Sequence, residues 1–292
     1  MSARPESGAN EEVFRQGLRE LGYVEGQNIA VEWRYSAGKV DLNPGIAAEL
    51  VRLKVDCIVA MGVDAALQAK LATQTIPIVM VSVNDDPVRR GLVTSLARPG
   101  GNVTGFIVLG PELSGIRLQA LKEILPKATR MAVIWDRNSL ASVSHVKEAE
   151  VAARALGVQL QSLDVGNAEA LENAFQAAGK GRAQALLMVT NGFLNSLPVR
   201  IANLAAKARL PAIYTSSQFP PAGGLMSYAA DGEEQFRGAA NYVGRILKGA
   251  KPAELPVQQP TKFEFIINMK AAKQLGLTIP PGVVARATKV IE

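Results

Sequence analysis

Residues 55–87, VDCIVAMGVDAALQAKLATQTIPIVMVSVNDDP, decide the fold. VDCIVAM is apolar from Cys57 on, too short for a helix and closed by Gly62, so it reads as a strand buried on both faces. DAALQAKLAT follows at helical spacing, with Asp64 as its cap. IPIVMVSV is a second buried strand that breaks into the polar loop NDDP. Strand, crossover helix and strand in this order make a parallel βαβ unit.

The same rhythm runs outward. Residues 11–21 form an amphipathic helix, with Val13, Phe14, Leu18 and Leu21 on one face and Gly22 at its stop. Arg4-Pro5 interrupts any strand ahead of it. NIAVEWRY, residues 28–35, alternates Ile29, Val31, Trp33 and Tyr35 on one face and reads as a strand. Asn43-Pro44 opens a helix as N-cap and first-turn proline. A short helix is predicted near residues 88–97, a turn at ARPGGNVTG and a strand at NVTGFIVL. Asn102 there fits a glycosylation triplet, a match short enough to arise by chance.

After GPELSG the alternation restarts. Helices at 116–126, 139–156, 167–181 and 198–210 separate strands at 130–136, 158–165, 185–191 and 211–216. The class is α/β, with two successive sheets of similar size. The tail adds a helix over 231–249, a proline-studded stretch, a strand at FEFIINM and a helix at KAAKQLGL. A tail this long can cross back between two wound units, and several crossing strands make a hinge with a cleft.

Composition narrows the chemistry. The 292 residues are 48% apolar and 20% charged, which is globular and long enough for one large or two medium domains. No apolar run approaches the roughly 18 residues of a membrane span, and no signal peptide is visible in these residues. The net charge of +6 comes from basic residues scattered singly among acids, without aromatic stacking motifs, so no nucleic-acid partner is expected. Cys57 and His145 are each the only residue of their kind. Cys57 reads as a core thiol and His145 as an exposed residue on a helix. One of each argues against a zinc site and against Ser-His-Asp or Cys-His catalysis. No phosphate-binding glycine motif follows a strand. No catalytic residue, metal or cofactor is expected.

Ligands of open α/β sheets sit beyond the carboxyl ends of the strands. That rule selects Gly62, Val63, Asp64 and Ala65, then Asn84 and Asp85, Asp136 and Asn138, and Asn191 and Phe193. Ser216, Ser217 and Gln218 follow, with Tyr228 and Asp231 at the start of the tail helix. Asp64, Asn138 and Asp231 serve equally well as plain N-caps, and Phe193 and Tyr228 as packing residues or as a stacking platform for an aromatic ligand.

Several stretches together resemble the substrate-binding proteins of ABC transporters, the family that includes the tryptophan-type binding proteins. They are FRQGLRELGYVEGQNIAVEWRYSAGK, AAELVRLKVDCIVAMG, TIPIVMVSVNDDPVRRGLVTSLARPGGNVTG, ELSGIRLQALKEILP, LPAIYTSSQF, GGLMSYAAD, ILKGAKPAELPVQQPTKFEFIIN and AAKQLGLTIP, and they span nearly all of residues 11–292. The resemblance implies the type I periplasmic-binding-protein fold: two Rossmann-like lobes with parallel sheets and three crossovers. The N-terminal lobe would take residues 1–107 and 230–258, the C-terminal lobe 108–229 and 259–292. It implies capture of a small solute in the interlobe cleft, an aromatic amino acid first and another aromatic solute next, and no catalysis. Lobe closure and delivery to ABC permease subunits outside the cytoplasmic membrane, in the periplasm or its equivalent, complete that picture. The family expectation is a monomer, with a dimer as the alternative. A ligand-sensing receptor domain of the same fold is the competing reading; a repressor would need a DNA-reading head ahead of the first helix.

Two departures accompany the resemblance. Family members carry a first strand ahead of this first helix, central in its sheet, and residues 1–10 do not supply one. The expectation is that the natural product extends upstream of Met1 or that other residues fill the position. Members that hold amino acids also place a hydroxyl residue after the glycine ending the third strand. Val63 stands there, so carboxylate capture would fall to backbone N–H groups.

Overall fold

The computed structural model describes residues 9–37, 39–108 and 110–292. The expectation for the stretch around Arg4-Pro5 therefore lies outside the described residues. The elements run α1 (Ala9–Glu20), α2 (Asn43–Arg52), β1 (Ile58–Met61), α3 (Val63–Ala72), β2 (Ile78–Val83), β3 (Val103–Ile107), α4 (Ser114–Ile124) and β4 (Arg130–Asp136). Then come α5 (Leu140–Ala155), β5 (Gln159–Val165), α6 (Ala170–Lys180), β6 (Ala185–Met188), α7 (Gly192–Asn195), α8 (Pro198–Lys207) and β7 (Ala212–Tyr214). The last are β8 (Met226–Ala230), α9 (Gly232–Leu247), β9 (Phe263–Asn268), α10 (Met269–Gln274), α11 (Pro281–Val284) and β10 (Lys289–Ile291). The chain divides into two compact units, Met1–Val108 with Asp231–Lys262 and Leu109–Ala230 with Phe263–Glu292.

The first unit holds a three-stranded parallel sheet in the order β1-β2-β3. Val79, Val81 and Phe106 on the sheet meet Phe14 and Leu18 of α1 and Phe236, Tyr242 and Ile246 of α9 in one core. β2 is buried along nearly its whole length, as its continuous apolar run requires. β1 is an edge strand: Ile58 and Ala60 are buried, while Val59 and Met61 are 38% and 55% exposed. Cys57 just ahead of it is half-buried and packs against that core.

NIAVEWRY is not a strand. Its alternation is real, but Ile29 makes only an isolated bridge with Glu25 and no strand pairs with residues 30–34 among the described residues. A period-2 pattern becomes a strand only where a neighbour completes the ladder. The helix expected near residues 88–97 is a run of turns. There the Asp86 carboxylate accepts from the amides of Val88 and Arg89, the carbonyl of Pro87 accepts from Leu92, and Gly91 takes φ +70°. α2 starts one residue earlier than its sequence signal, with Leu42 as N-cap and Asn43 already helical. Asn102 has a structural task, its amide donating to the carbonyls of Thr73 and Ile76.

The second unit holds seven strands in the order β10-β9-β8-β7-β6-β4-β5. The two sheets therefore differ in size, three strands against seven. PAIYTS is followed by a further parallel strand, β8, and β9 then pairs antiparallel to it. Helices cover both faces. α4 and α5 contribute Leu118, Leu121, Val146 and Ala149 to one core, and α6 and α8 contribute Leu171, Phe175, Ile201 and Ala205 to the other.

His145 is not a surface residue; it is 2% exposed on α5. Helical periodicity locates a face but not what packs against it, and α4 covers this one. Neither ring nitrogen has a hydrogen-bond partner among the described residues. Desolvation, reinforced by the nearby Arg117 charge, pushes its pKa down to about 3.

Two tests follow from these contacts. Gly105 has φ +135°, and a Cβ there would come within 2.0 Å of the Met80 carbonyl oxygen, beside a register shift between β2 and β3. Gly105→Ala is expected to lose about 3 kcal/mol or more in urea unfolding. His145 titrates at its ordinary 6.5 when unfolded but near 3 when folded, so the unfolded chain binds more protons between those values. Stability therefore falls as pH drops from 6.5 toward 3, by about 3 kcal/mol at pH 4 from this group. His145→Leu should match the parent near pH 7 and lose less than the parent by pH 4.

Candidate functional site at the carboxyl edges of the sheets

In the second unit, β4 lies between β5 and β6 and ends on Asp136. This carboxylate is 2% exposed. One oxygen accepts from the Asn138 amide at 2.9 Å, the other from the Asn191 side chain at 2.6 Å. No ion pair to Asp136 occurs among the described residues, so a buried anion is held by neutral donors alone. Asn191, just past β6, also caps α7 by accepting from the Leu194 amide at 3.0 Å. Asn138 is not a cap: Ser139 occupies that place on α5, and the Asn138 side chain donates to the Gly166 carbonyl. Asp136, Asn138 and Asn191 are thus brought together.

The ends of β6 and β7 are tied by Thr190 and Thr215, whose hydroxyls lie 2.8 Å apart. Past them, Ser216 and Ser217 are half-buried and Gln218 is exposed. Phe193 is half-buried against the α6–α8 core. Tyr228 on β8 stacks on Phe263 at 6.0 Å and meets Phe265 edge-on at 5.9 Å, so its ring is already part of an aromatic cluster. Tyr214 is fully buried and stacked on Phe219 at 4.3 Å; burial pushes its phenol well above the ordinary range.

In the first unit, Gly62 takes φ +84° as N-cap of α3, a conformation that glycine adopts without strain. Asp64 is therefore not the cap but lies in the first turn, beside half-buried Ala65. Val63 is 1% exposed, which leaves only its backbone to offer. At the end of β2, Asn84 is half-buried and makes no side-chain hydrogen bond among the described residues. Asp85 is engaged within its own loop: it accepts from the Asp86 amide and pairs with Arg89 at 3.2 Å and Arg90 at 2.6 Å. Asp231 caps α9, accepting from the amides of Glu233 and Glu234.

Sequence reasoning missed Ser82 and Gln235. Ser82 has φ +53° inside β2, a strained conformation for a side-chain-bearing residue, and its hydroxyl lies 3.3 Å from the amide oxygen of buried Gln235. The available signal was a lone serine in an apolar run.

Residues 6–291 match the family described as ABC transporter substrate binding protein. The chain belongs to that family. This substrate-binding protein is 27% identical over 268 residues to a tyrosine-binding protein of Clostridioides difficile, covering 90% of this chain and 75% of the relative. A conserved domain protein from Vibrio cholerae superposes with a TM-score of 0.90 at 29% identity, over 97% of this chain and 94% of that one. A Streptococcus pneumonia ABC domain, solved in complex with L-Trp, gives a TM-score of 0.85 at 23% identity over 98% and 97% of the two chains, a likeness of fold. The functionally named relatives are binding proteins, not enzymes. Among the described residues, no helix of the substrate-binding protein is long and apolar enough to cross a membrane.

Asn191→Ala removes both the α7 cap and a neutral partner of Asp136. Urea unfolding is expected to register a loss of about 1–2 kcal/mol. No change in the unfolding midpoint would mean that water replaces both bonds.

Proposed function

We propose that this protein is the solute-binding component of an ABC importer and that it captures an aromatic amino acid, or a closely related aromatic solute. The observation that carries the reading is the family match over residues 6–291. The ligand class is supported by the tyrosine-binding relative and by the fold shared with a protein holding L-Trp. It is also supported by Asp136, a buried carboxylate held only by neutral donors and therefore suited to a ligand ammonium group.

In this reading the ligand engages both lobes. Asp136 and Asn191 take the ammonium. The backbone amides of Val63 to Ala65 at the start of α3 take the carboxylate, since first-turn amides lack intrahelical partners, while the Gly62 amide stays with the Val81 carbonyl. Phe193 or Tyr228 lines the ring, and Asn84, Asn138, Ser216, Ser217 and Gln218 supply the polar rim. Asp85 and Asp231 stay with their structural partners and shape their loops. Contacts with both lobes favour a closed state over an open one, which is how binding drives closure. The closed protein, acting outside the cytoplasmic membrane as a monomer, delivers its solute to permease subunits without altering it.

The test starts with mass spectrometry of small molecules released on denaturing the purified protein, followed by calorimetric titration with L-Trp, L-Tyr and L-Phe. An aromatic amino acid is expected near one per chain. Asp136→Asn should weaken its binding at least about tenfold, roughly 1.4 kcal/mol, with little effect on the deaminated analogue. Tight binding of a non-aromatic solute, with none to the aromatic series, would overturn the ligand class.

A further inference from the structure

Arg117 is among the largest fully buried side chains of the second unit, yet it has no carboxylate partner among the described residues. It stands in the first turn of α4. Its Nε donates to the Tyr228 carbonyl at 2.8 Å and its Nη1 to the Gly110 carbonyl at 2.9 Å. Burial, weakly opposed by Tyr228, pushes its pKa down to about 9. His145 beside it is neutral and its ring nitrogens are unpartnered, so it does not offset the charge. A buried cation answered only by carbonyls is unfavourable compared with an apolar side chain of similar volume. Its bonds to two separated segments supply the reason for it.

Those segments are special. The chain passes between units three times, after Val108, after Ala230 and after Lys262. Gly110 is the second residue past the first passage, and Tyr228 is two residues before the end of its segment at Ala230. One guanidinium therefore grips two passages on the side of the second unit. The first unit has a counterpart of opposite charge. Glu234, in the first turn of α9, accepts from the amides of Thr261 at 3.1 Å and Lys262 at 3.2 Å, and from the Thr261 hydroxyl. Desolvation works to raise its pKa, but these bonds and the Lys262 charge outweigh it and hold the carboxyl below its ordinary range. The second and third passages are also joined to each other, the Asp231 amide donating to the Lys262 carbonyl at 3.0 Å.

We infer that Arg117 and Glu234 are positioning residues for the hinge. Arg117 fixes the first two passages to the second unit, Glu234 fixes the third to the first unit, and bending is confined to the few residues between these anchors. Neither touches the ligand. Both set ligand affinity by limiting the open conformations from which closure starts, because each additional open state lowers the competent fraction. This rests on the proposed closure on ligand, although the anchoring itself does not require a ligand.

The experiment measures the distance distribution between spin labels, one on each unit, by pulsed electron paramagnetic resonance. Leu71→Cys and Val151→Cys place labels on exposed positions, 74% and 53% accessible, in a Cys57→Ala background. Without ligand, Arg117→Met and Glu234→Ala are each expected to broaden the distribution about twofold, with Arg117→Lys restoring part of the parent width. Glu234 is half-buried on the surface of its unit, so its variant tests the inference even where Arg117→Met does not fold. With ligand, both variants should weaken L-Trp, L-Tyr and L-Phe by one common factor, about tenfold, because the residues act through the hinge and not through the ligand. Ligand-free widths equal to the parent in Glu234→Ala and in a folded Arg117 variant would overturn the inference. A parent distribution that does not shift with any aromatic amino acid would instead overturn the closure reading, and the ligand-free widths would still decide the hinge.

Discussion

Parallel pairing dictates most of this structure. Two parallel neighbours cannot be joined by a hairpin, so the chain must leave the sheet and return across one of its faces before the next strand begins. Helices consequently cover both faces of the seven-stranded sheet, and its inner strands can be apolar throughout, as β6 is. The same requirement puts the carboxyl ends of the parallel strands at one edge. The strand ends and loops there carry Asp136, Asn191 and Ser216. The placement of these candidate residues is thus a consequence of the connection rule before it is anything else.

Where that rule lapses, the chain is doing something other than winding. β9 joins antiparallel to β8 because the chain has spent Asp231–Lys262 in the first unit before returning. At the passages, the carbonyls of Gly110 and Tyr228 and the amides of Thr261 and Lys262 take side-chain partners. Arg117 and Glu234 provide them from the first turns of α4 and α9. Side chains satisfy here what secondary structure satisfies elsewhere.

Three buried charges show how differently the same interior treats an ion. Asp85 is neutralised by Arg90 and Arg89 within its own loop, which holds a run of turns where the sequence pattern predicts a helix. Asp136 is answered only by amides, and Arg117 only by carbonyls. An anion already paired with cations has little left to offer a ligand, whereas one held by neutral dipoles still attracts a positive group. The distinction is the physical ground on which the proposed ligand contact falls to Asp136 and not to Asp85, although both stand at the end of a strand.

The sequence by itself determined the types of most elements, the α/β class, the two rounds of winding and the set of loops from which a site must be drawn. These follow from local periodicity, and a continuous apolar run closed by glycine or a polar loop is a local property. The resemblance to a transport-receptor family was legible too, because it is spread over almost every element. Only the tertiary structure decided what each pattern meets. Residues 28–35 carry a strand's alternation, but no neighbour completes their ladder; His145 lies on a helix face that α4 happens to cover; Asp64 yields its capping place to Gly62, whose φ of +84° the turn requires. Asp136 and Asn191 are 55 residues apart in the chain and 2.6 Å apart in space. Periodicity fixes which way a side chain faces, and partners are chosen by the packing of segments distant in sequence, which no local pattern encodes.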